Sequence, residues 1–344
     1  MREEPVNADI LIVGAGLAGL MAAQTLRAHG LEVLLVDKGR SVGGRLATRR
    51  IGPGRADHGA QFFTARTPEF QAWLDRWLAD GLVYPWSTGW SDGSLMTAPS
   101  DGHPRYAVHG GMNSLAKHLA QDLDVRTAVH LEAAAPVAHG WEAVDDRGRV
   151  FKSQALLLTP PVPQSLALLD AGGTELSVPD RQALEHIEYV PSLAGLFWLD
   201  RPAALPEPGA VQRTNAPITW IADNRRKGIS PEATLITVHA SPQISQVYWD
   251  APDDTVLAAH YEGLLPFLVP GTRVLTQQLK RWRYALPSVL CDQRTLLADG
   301  AIRAPLAFAG DAFGGPRVEG AALSGLAAGR ALAARLTASA PDTP

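Results

Sequence analysis

The sequence predicts an α/β fold in which one domain is assembled from separated pieces of the chain and carries an inserted α+β domain built on an antiparallel sheet. Three observations support this prediction. An apolar strand, a glycine-rich loop and a helix follow one another between Ala8 and Leu26, and a second unit of the same layout lies between Phe308 and Leu336. Between the two, apolar segments bounded by turn residues succeed one another with few long helices, which is typical of an antiparallel sheet.

The composition is that of a globular protein without a membrane span. Of the 344 residues, 46% are hydrophobic and 19% are charged, as in ordinary globular domains. No run of 18 apolar residues occurs, so we expect no association with a membrane. The charged N-terminus lacks the apolar region of a signal peptide, and Cys291 is the single cysteine. We therefore expect a cytoplasmic location.

Charge and residue spacing argue against two classes of ligand. The net charge is −4, which provides no electrostatic footprint for a nucleic acid. The cysteine and the histidines show no spacing typical of metal ligands, so we expect no metal site.

The first strand–loop–helix unit predicts a Rossmann-like dinucleotide site. Gly14, Gly16 and Gly19 form G-x-G-x-x-G directly after an apolar strand. The first glycine permits the tight turn, the second lets the backbone approach a pyrophosphate, and the third lets the helix pack on the strand. The helix N-terminus offers free N–H groups to the phosphates. Asp37 ends the next predicted strand, where a carboxylate accepts hydrogen bonds from ribose hydroxyls.

The motif alone does not distinguish NAD from FAD, but the residues that follow do so by resemblance. Gly43-Gly44-Arg45 follows the second strand and brings a cation near the diphosphate. The segments GAGLAGL, VDK and GGR resemble the flavin-containing amine oxidase superfamily, in which they hold the ADP part of FAD. Four more segments, at 57–66, 222–227, 281–287 and 310–325, resemble the renalase family, including its bacterial members. The resemblance covers nearly the whole chain in the same order.

This resemblance implies why the chain contains two glycine-rich units. FAD lies extended in this fold, with its adenine end at the first unit and its isoalloxazine far along the sheet. Asp311 would bond the ribityl chain, and a helix at 318–336 would point its N-terminus at the pyrimidine edge of the flavin. A positive dipole end favours the negative charge that this edge gains on reduction. The residues assigned to FAD are Gly14, Ala15, Gly16, Leu17, Ala18, Gly19, Asp37, Lys38, Gly43, Gly44, Arg45, His58, Gly59, Ala60, Gln61, Val129, Thr159, Gly310, Asp311, Arg317, Val318, Glu319, Gly320 and Ala321.

The predicted domains follow from these assignments. Residues 1–66, 107–163 and 286–337 form the FAD-binding domain, residues 67–106 and 164–285 form the substrate domain, and residues 338–344 form a disordered tail. The only G-x-G-x-x-G in a strand–loop–helix frame is the first, so we expect no separate NADPH-binding domain. The electron donor must then bind directly against the flavin.

The substrate domain shows clear element signals. Thr67 and Pro68 begin a helix as N-cap and first residue, and an apolar stripe from Phe70 to Leu78 follows at helical spacing. Four segments at 192–200, 216–224, 233–241 and 273–286 are predicted strands, and the segment at 253–268 is a predicted helix.

The candidate substrate-contacting residues are Gln61, Asn224, Arg225, His239, Trp282 and Tyr284. The aromatic pair alternates with Arg281 and Arg283, as side chains on opposite faces of a strand do. The pair either frames a planar substrate or packs in the core. His239 either bonds a substrate carbonyl or amide or is satisfied inside the protein. Asn224 and Arg225 either hold a carboxamide or phosphate or form a plain turn.

We assign no catalytic acid or base, because a flavin carries the redox chemistry itself. No lysine can be assigned to the N5 position that many amine oxidases use. Two positions depart from relatives: Gly228 stands where renalases often have proline, and Ala322 stands where some bacterial members have tryptophan.

The leading functional hypothesis is an FAD-dependent oxidase that takes a hydride from a small organic substrate to flavin N5 and passes electrons to dioxygen, giving hydrogen peroxide. The renalase resemblance implies oxidation of the 2- or 6-dihydro isomers of NAD(P) to NAD(P)⁺. An amine oxidase is the alternative, with Trp282 and Tyr284 as an aromatic cage. A desaturase would usually show a long apolar docking segment. A flavin-binding sensor or interaction module without turnover would keep every cofactor motif and stays open.

Overall fold

The structure is a computed structural model that describes residues 5–94, 100–298 and 304–338. Its helices are α1 (Leu17–Ala28), α2 (Pro68–Ala79), α3 (Asn113–Leu119), α4 (Val162–Ala171), α5 (Val178–Glu185), α6 (Pro242–Val247), α7 (Asp253–Leu264), which continues as a 3₁₀ turn at Leu265–Phe267, and α8 (Arg317–Ala338).

The strands are β1 (Val6–Val13), β2 (Val33–Asp37), β3 (Thr48–Ile51), β4 (Gly54–Asp57), β5 (Val83–Ser87), β6 (Arg105–Val108), β7 (Asp124–Thr127), β8 (Leu131–Val137), β9 (Gly140–Asp145), β10 (Val150–Leu158), β11 (Tyr189–Leu199), β12 (Ala210–Gln212), β13 (Ile218–Asp223), β14 (Thr234–Ala240), β15 (Val274–Pro287), β16 (Leu296–Leu297) and β17 (Leu306–Phe308).

The chain divides into two compact units. The first unit comprises Met1–Gly44, Ala116–Glu188 and Pro287–Pro344, and the second comprises Arg45–Leu115 and Tyr189–Leu286. These boundaries differ from the predicted domains, since residues 45–66 and 107–115 belong to the second unit and residues 164–188 to the first. Hydrogen bonds explain the first difference: Asp57 is bonded to Asn224 and Thr237, which belong to the second sheet and the turn beside it. The predicted tail at 339–344 lies outside the described residues.

The first unit contains the predicted parallel sheet. Its strand order is β16-β17-β10-β1-β2-β7, with β9 paired to β10 and β8 to β9. The strands β17, β10, β1, β2 and β7 run parallel. Helices α1 and α8 pack closely, because a Cβ at Gly325 would lie 2.1 Å from the carbonyl oxygen of Ala18. The α/β prediction is confirmed, and the two glycine-rich units place their helices against each other.

The second unit is built on a five-stranded sheet of order β12-β13-β14-β11-β15. Its paired strands β12, β13, β14 and β11 are antiparallel, as predicted. One face carries Phe197, Ile221 and Val238 and packs with α7. The other face, here called the site face, carries Leu196, Trp220, Ala222, Thr237 and His239.

Helix α2 begins as the sequence predicts. The Thr67 hydroxyl accepts a hydrogen bond from the backbone N–H of Phe70, and Pro68 is the first helical residue. Within the described residues, we find no helix that combines the length and the apolar character needed to cross a bilayer.

Candidate functional site

The first glycine loop has the backbone geometry that a dinucleotide requires. Gly14 has φ +99°, a conformation that favours glycine. A Cβ at Gly14 would lie 2.4 Å from the Thr159 hydroxyl oxygen, and a Cβ at Gly19 would lie 2.1 Å from the carbonyl oxygen of Gly14. Thr159 donates to the carbonyl oxygens of Val13 and Gly14 at 2.8 and 3.0 Å. The turn therefore packs closely against Thr159 at the end of β10, and the Thr159 hydroxyl stabilises it through these two hydrogen bonds.

The glycine pair after β2 lies beside this loop. Gly43 forms a parallel bridge with Gly16, and its N–H donates to the carbonyl oxygen of Ala15 at 2.8 Å. A Cβ at Gly16 would meet no atom within 4 Å, although Gly16 stands at the start of α1. Open space beside a helix N-terminus is the feature that a pyrophosphate needs. The residues present therefore fit the diphosphate of a dinucleotide.

Asp37 lies at the end of β2, where the sequence places a ribose contact. Its carboxylate accepts the N–H of Ala15 at 2.7 Å and that of Gly39 at 2.6 Å. Each oxygen keeps a further lone pair, since a carboxylate has about four acceptor sites. Val129 is buried and donates its N–H to the Asp37 carbonyl oxygen at 3.0 Å. Lys38 is exposed, and its ammonium bonds the side chain of Gln164 at 3.0 Å.

The second glycine unit is also anchored by hydrogen bonds. The N–H of Gly310 donates to the Ser324 hydroxyl oxygen at 2.9 Å, and Asp311 is buried. Helix α8 begins at Arg317, one residue before the start that the sequence predicts. Gly320 packs so closely that a Cβ would lie 1.8 Å from the carbonyl oxygen of Gly315. The five residues of this helix that the sequence assigns to FAD lie at its N-terminal end: Arg317, Val318, Glu319, Gly320 and Ala321.

In the second unit, Arg45 is tied to β15. Its Nη1 donates to the carbonyl oxygens of Tyr284 and Ala285, each at 3.2 Å. The carbonyl oxygen of Arg45 accepts the N–H of Ala60 at 2.9 Å, and a Cβ at Gly59 would lie 2.0 Å from that oxygen. The segment from Asp57 to Gln61 is therefore fixed against Arg45 by its own backbone.

His58 stacks on Trp282 of β15. The ring centroids are 5.4 Å apart at 20°, and the Trp282 indole N–H donates to the His58 carbonyl oxygen at 2.8 Å. Burial, followed by the charge of Lys280, lowers the pKa of His58 from 6.5 to about 4. The ring is neutral at physiological pH, and its buried Nδ1 has no hydrogen-bond partner in the described chain.

Asp57 and Lys227 form a buried ion pair that the sequence did not reveal. The Lys227 Nζ lies 2.6 Å from Asp57 Oδ2, and both side chains are 0% exposed. The carboxylate also accepts the Thr48 hydroxyl at 2.5 Å and the Met112 N–H at 2.9 Å. Burial lowers the pKa of Lys227, while the Asp57 carboxylate opposes this effect. Both residues lie in segments noted for their resemblance to renalases, but their pairing joins positions far apart in the sequence.

Asn224 and Arg225 lie in the turn after β13, and their side chains have different environments. Asn224 is fully buried, and its Oδ1 accepts the N–H of Asp57 at 3.1 Å. Its Nδ2 donates to the carbonyl oxygen of Leu235 and to the Thr237 hydroxyl, both at 2.9 Å. Because the amide is used inside the protein, Asn224 joins the 57–61 segment to the sheet rather than holding a carboxamide. Arg225 is exposed in the turn after β13.

Gln61 and His239 remain candidates for ligand contact. The Gln61 Nε2 donates to the carbonyl oxygens of Asp57 and Gly59 at 2.9 and 3.1 Å, while its Oε1 is buried without a partner. His239 lies on the site face of β14, and its Nε2 is also buried without a partner. Burial, followed by the charge of His260, lowers the pKa of His239 to about 3. The ring is therefore neutral.

The two predicted cage residues lie against different neighbours. Trp282 stacks on His58, whereas the Tyr284 ring packs edge-on against Tyr189 with centroids 5.5 Å apart. A different set of rings forms a compact group, here called the aromatic cluster: Phe62, Trp86, Trp90 and Trp220. Its centroid distances run from 4.7 to 6.1 Å. The Lys227 ammonium lies 4.9 Å from the centroid of the Trp86 ring.

Two cations, Lys280 and Arg49, act on the His58 ring that stacks on Trp282, against the opposing charge of Asp57. Lys280 precedes Trp282 by two positions on β15, and both Lys280 and Arg49 lower the pKa of His58. Arg49 Nε lies 3.4 Å from Gln278 Oε1, which brings the guanidinium to the same strand. Asp253, the carboxylate that acts on Lys280, is itself paired with Arg281.

Comparison with known proteins identifies two family models. One, described as an NAD(P)-binding Rossmann-like domain, matches residues 12–77. The other, described as flavin containing amine oxidoreductase, matches residues 86–333.

Two curated relatives match short stretches. A putative flavin-containing monoamine oxidase of Mycobacterium tuberculosis is 45% identical over 58 residues, which is 17% of this chain and 13% of the relative. The putrescine oxidase of Kocuria rosea is 36% identical over 73 residues, which is 21% of this chain and 15% of the relative. The matched stretches thus span about a seventh of the length of these curated relatives.

Solved structures match over nearly the whole chain. A putative protoporphyrinogen oxidase from Exiguobacterium sp. 255-15 superposes with a TM-score of 0.68 at 15% identity, covering 99% of this chain and 100% of that one. Wild-type putrescine oxidase bound to putrescine gives a TM-score of 0.66 at 15% identity, covering 97% and 100%. At this identity the likeness concerns the fold alone.

Proposed function

The chain belongs to the flavin-containing amine oxidoreductase family and is an FAD-dependent oxidoreductase, and we propose that it oxidises the 2- or 6-dihydro isomers of NAD(P) to NAD(P)⁺, with dioxygen as the acceptor and hydrogen peroxide as the product. This is the renalase-like activity that the sequence resemblance implies. When bound, FAD supplies the chemistry by accepting a hydride and passing two electrons on.

The first unit offers a built site for FAD. Three features support this: the open space beside Gly16, the remaining acceptor capacity of the Asp37 carboxylate, and the helix N-terminus of α8. In the proposal these groups bind and orient the cofactor, and none of them transfers a proton.

The charged groups near His58 favour a dinucleotide substrate over an amine substrate. An amine oxidase substrate is a cation at neutral pH and would benefit from a free carboxylate. The Asp57 carboxylate also acts on His58, but it is paired with Lys227 at 2.6 Å, and the cations Lys280 and Arg49 both act on His58 in the opposite sense. A dinucleotide carries negative phosphates, so this distribution of charge favours it through electrostatic complementarity.

The neutral imidazoles support the same choice. Burial keeps His58 and His239 uncharged, with pKa values of about 4 and 3. A dihydropyridine loses a hydride without first releasing a proton, so its oxidation requires no base, and imidazoles this weakly basic suffice. Trp282 holds the His58 ring in place through stacking and through its hydrogen bond to the His58 carbonyl.

The amine oxidase alternative rests on the aromatic cluster, because aromatic rings attract ammonium groups. One ring of this cluster already faces a cation, since the Lys227 ammonium lies 4.9 Å from the centroid of Trp86. A flavin-binding sensor would retain the same glycine-rich loop, and only a measurement of substrate turnover distinguishes it from an oxidase.

The experiment that tests the proposal is a peroxide-release assay with charge variants. The substrates are the 2-, 6- and 4-dihydro isomers of NAD(P) and putrescine. We expect turnover only with a 2- or 6-dihydro isomer, and we expect Lys280→Gln to raise KM for that isomer severalfold with little change in kcat. Arg50→Gln, an exposed neighbour of Arg49 on β3, is the control. Turnover of putrescine alone would move the protein to the amine oxidases.

A further inference from the structure

Strand β15 carries three cationic side chains, which lie on its two opposite faces. Arg281 and Arg283 alternate on one face, where both have partners: Arg281 is bonded to Asp253, and the Arg283 guanidinium lies 4.9 Å from the centroid of the Trp249 ring. Lys280 lies on the other face and is half-buried. In the described part of the chain, Lys280 forms no ion pair with a carboxylate.

A second cation, Arg49, reaches the same face of β15 from strand β3. Its Nε lies 3.4 Å from Gln278 Oε1, and Gln278 precedes Lys280 by two positions, so the side chains of Gln278 and Lys280 project to the same side. Burial, followed by the charge of Arg49, lowers the pKa of Lys280, while Asp253 opposes this effect. The side chains of Arg49 and Lys280, here called the cation pair, are therefore close enough to repel each other. Arg49 is exposed and, among the residues that the structure describes, it also lacks a carboxylate partner.

An aromatic surface lies beside the cation pair, within the same unit. Trp282 follows Lys280 by two positions, about 7 Å along the strand on the same face, and its half-buried ring stacks on His58. Burial is the main cause of the lowered pKa of His58, and both members of the cation pair contribute to it, which places their charges near the stacked rings. Asp57, the carboxylate that acts in the opposite sense, is held by Lys227. Accessible positive charge beside an aromatic ring suits a ligand that carries an anion a short distance from a planar group.

We propose that Arg49 and Lys280 bind one particular phosphate of the substrate, the one attached to the ribose of the nicotinamide. The inference rests on the proposed function, in which the substrate is a dihydronicotinamide nucleotide. One ribose separates this phosphate from the nicotinamide ring, as two strand positions separate Lys280 from Trp282. The unit recognised is then the mononucleotide, and the adenylate half adds little affinity. The cation pair positions the substrate and takes no part in the hydride transfer.

Other charged groups match this position less well. The second phosphate of a dinucleotide lies farther from the nicotinamide, and the 2′-phosphate of NADP lies at the opposite end of the molecule. With the nicotinamide ring beside Trp282, the nearest phosphate is the first to come within reach of a cation two strand positions away. The diphosphate of FAD is proposed to lie beside Gly16 instead. An amine cation would be repelled by the cation pair.

The test measures the heat of binding to the FAD-loaded enzyme, without turnover. The ligands are nicotinamide riboside, nicotinamide mononucleotide, NAD⁺ and NADP⁺, which are oxidised and cannot donate a hydride. We expect the mononucleotide to bind about 5- to 10-fold more tightly than the riboside, because its phosphate pairs with accessible cations. NAD⁺ and NADP⁺ should bind with an affinity close to that of the mononucleotide. The preference for the mononucleotide should shrink at high salt, which screens exposed charges.

Substitutions that remove a single cation sharpen the test. Lys280→Gln and Arg49→Gln should each weaken mononucleotide binding about 5- to 10-fold while changing riboside binding and flavin content little. Arg283→Gln is the matched control, because it removes the same charge from the same strand but on the opposite face, where Arg283 lies against Trp249. It should change the affinity for neither ligand.

The ligand series on the unmodified enzyme decides the matter even if a variant fails to fold. Equal affinities for the riboside and the mononucleotide would overturn the phosphate subsite. A Lys280→Gln effect confined to NADP⁺ would also overturn it, since the cation would then bind the 2′-phosphate, and so would loss of FAD from the variants, which would assign the cation pair to the cofactor. None of these results touches the proposed function, which fails only if the dihydro isomers do not turn over.

Discussion

Asp57 and Lys227 are 170 residues apart in sequence, yet their side chains form an ion pair at 2.6 Å from which water is excluded. Around this pair, Thr48, Met112 and Gln61 add hydrogen bonds to one partner or the other. The pair thus holds the 57–61 segment, which carries His58 and Gln61, against the turn after β13.

Removing one partner of this pair should be costly. Lys227→Met leaves the Asp57 carboxylate buried without a countercharge, and we expect a loss of about 3–5 kcal/mol in the free energy of unfolding. The measurement is chemical denaturation of the purified variant. The control is Lys152→Met, which removes an exposed ion pair with Glu142 and should cost less than about 1 kcal/mol.

The double variant Asp57→Asn with Lys227→Met checks the cause. Because the uncompensated charge is then absent, part of the lost stability should return relative to Lys227→Met alone. Equal costs for Lys227→Met and Lys152→Met would show that the buried pair contributes no more than a surface one.

Replacing either of two glycines in the first loop by alanine should have a different effect: one substitution should weaken FAD binding, and the other should destabilise the fold. A Cβ at Gly16 meets no atom within 4 Å, and Gly16 has φ −75°, which alanine adopts readily. Gly16→Ala should therefore fold, with a loss of at most about 1 kcal/mol, but should retain much less FAD because the methyl group enters the space of the pyrophosphate. A Cβ at Gly19 would lie 2.1 Å from a backbone oxygen, so Gly19→Ala should destabilise the fold itself.

The measurements are the flavin content of each purified variant and the thermal unfolding of its apoprotein. A Gly16→Ala protein that retains FAD as well as the unmodified chain does would argue against the pyrophosphate lying over this glycine.

The pH dependence of stability should reveal the buried histidines. Burial lowers the pKa of His58 from 6.5 to about 4, so between these values the unfolded chain takes up a proton that the folded chain does not. Stability therefore falls as the pH is lowered through this window, by up to about 1.4 kcal/mol per pH unit for one proton. His58→Gln should flatten the slope between pH 6 and 4.5, which is measured by chemical denaturation at a series of pH values.

A slope that is the same with and without His58 would indicate that the imidazole is not held neutral by burial. His239, with a pKa of about 3, should add to the slope of both proteins over a wider range.

Local signals in the sequence were sufficient for much of the fold. The spacing of Gly14, Gly16 and Gly19 predicts the first loop, and Thr67-Pro68 predicts the start of α2, because the physical requirement in each case involves neighbouring residues. The same reasoning placed the start of α8 within one residue.

The residues proposed to face the substrate are positioned by contacts between distant parts of the sequence, and their environments were predicted less well. Asn224 was expected either to hold a ligand or to form a plain turn, but its amide is bonded to Asp57 and Thr237, which belong to other parts of the chain. The aromatic cluster brings together Phe62 and Trp220, which are 158 positions apart in the sequence, and no local spacing indicates this. The boundary after Gly44 likewise was not predicted, because residues 45–66 are bonded to β14 and β15, which are distant in the sequence.

The most direct test of the proposed activity is anaerobic bleaching of the enzyme-bound flavin. The FAD-loaded protein is mixed with 2-dihydro-, 6-dihydro- and 4-dihydro-NAD(P) and with putrescine, and the visible flavin absorbance is followed before and after air is admitted. We predict rapid bleaching by a 2- or 6-dihydro isomer alone, with recovery in air and release of hydrogen peroxide. Bleaching by putrescine alone, or by none of these donors, would contradict the proposal.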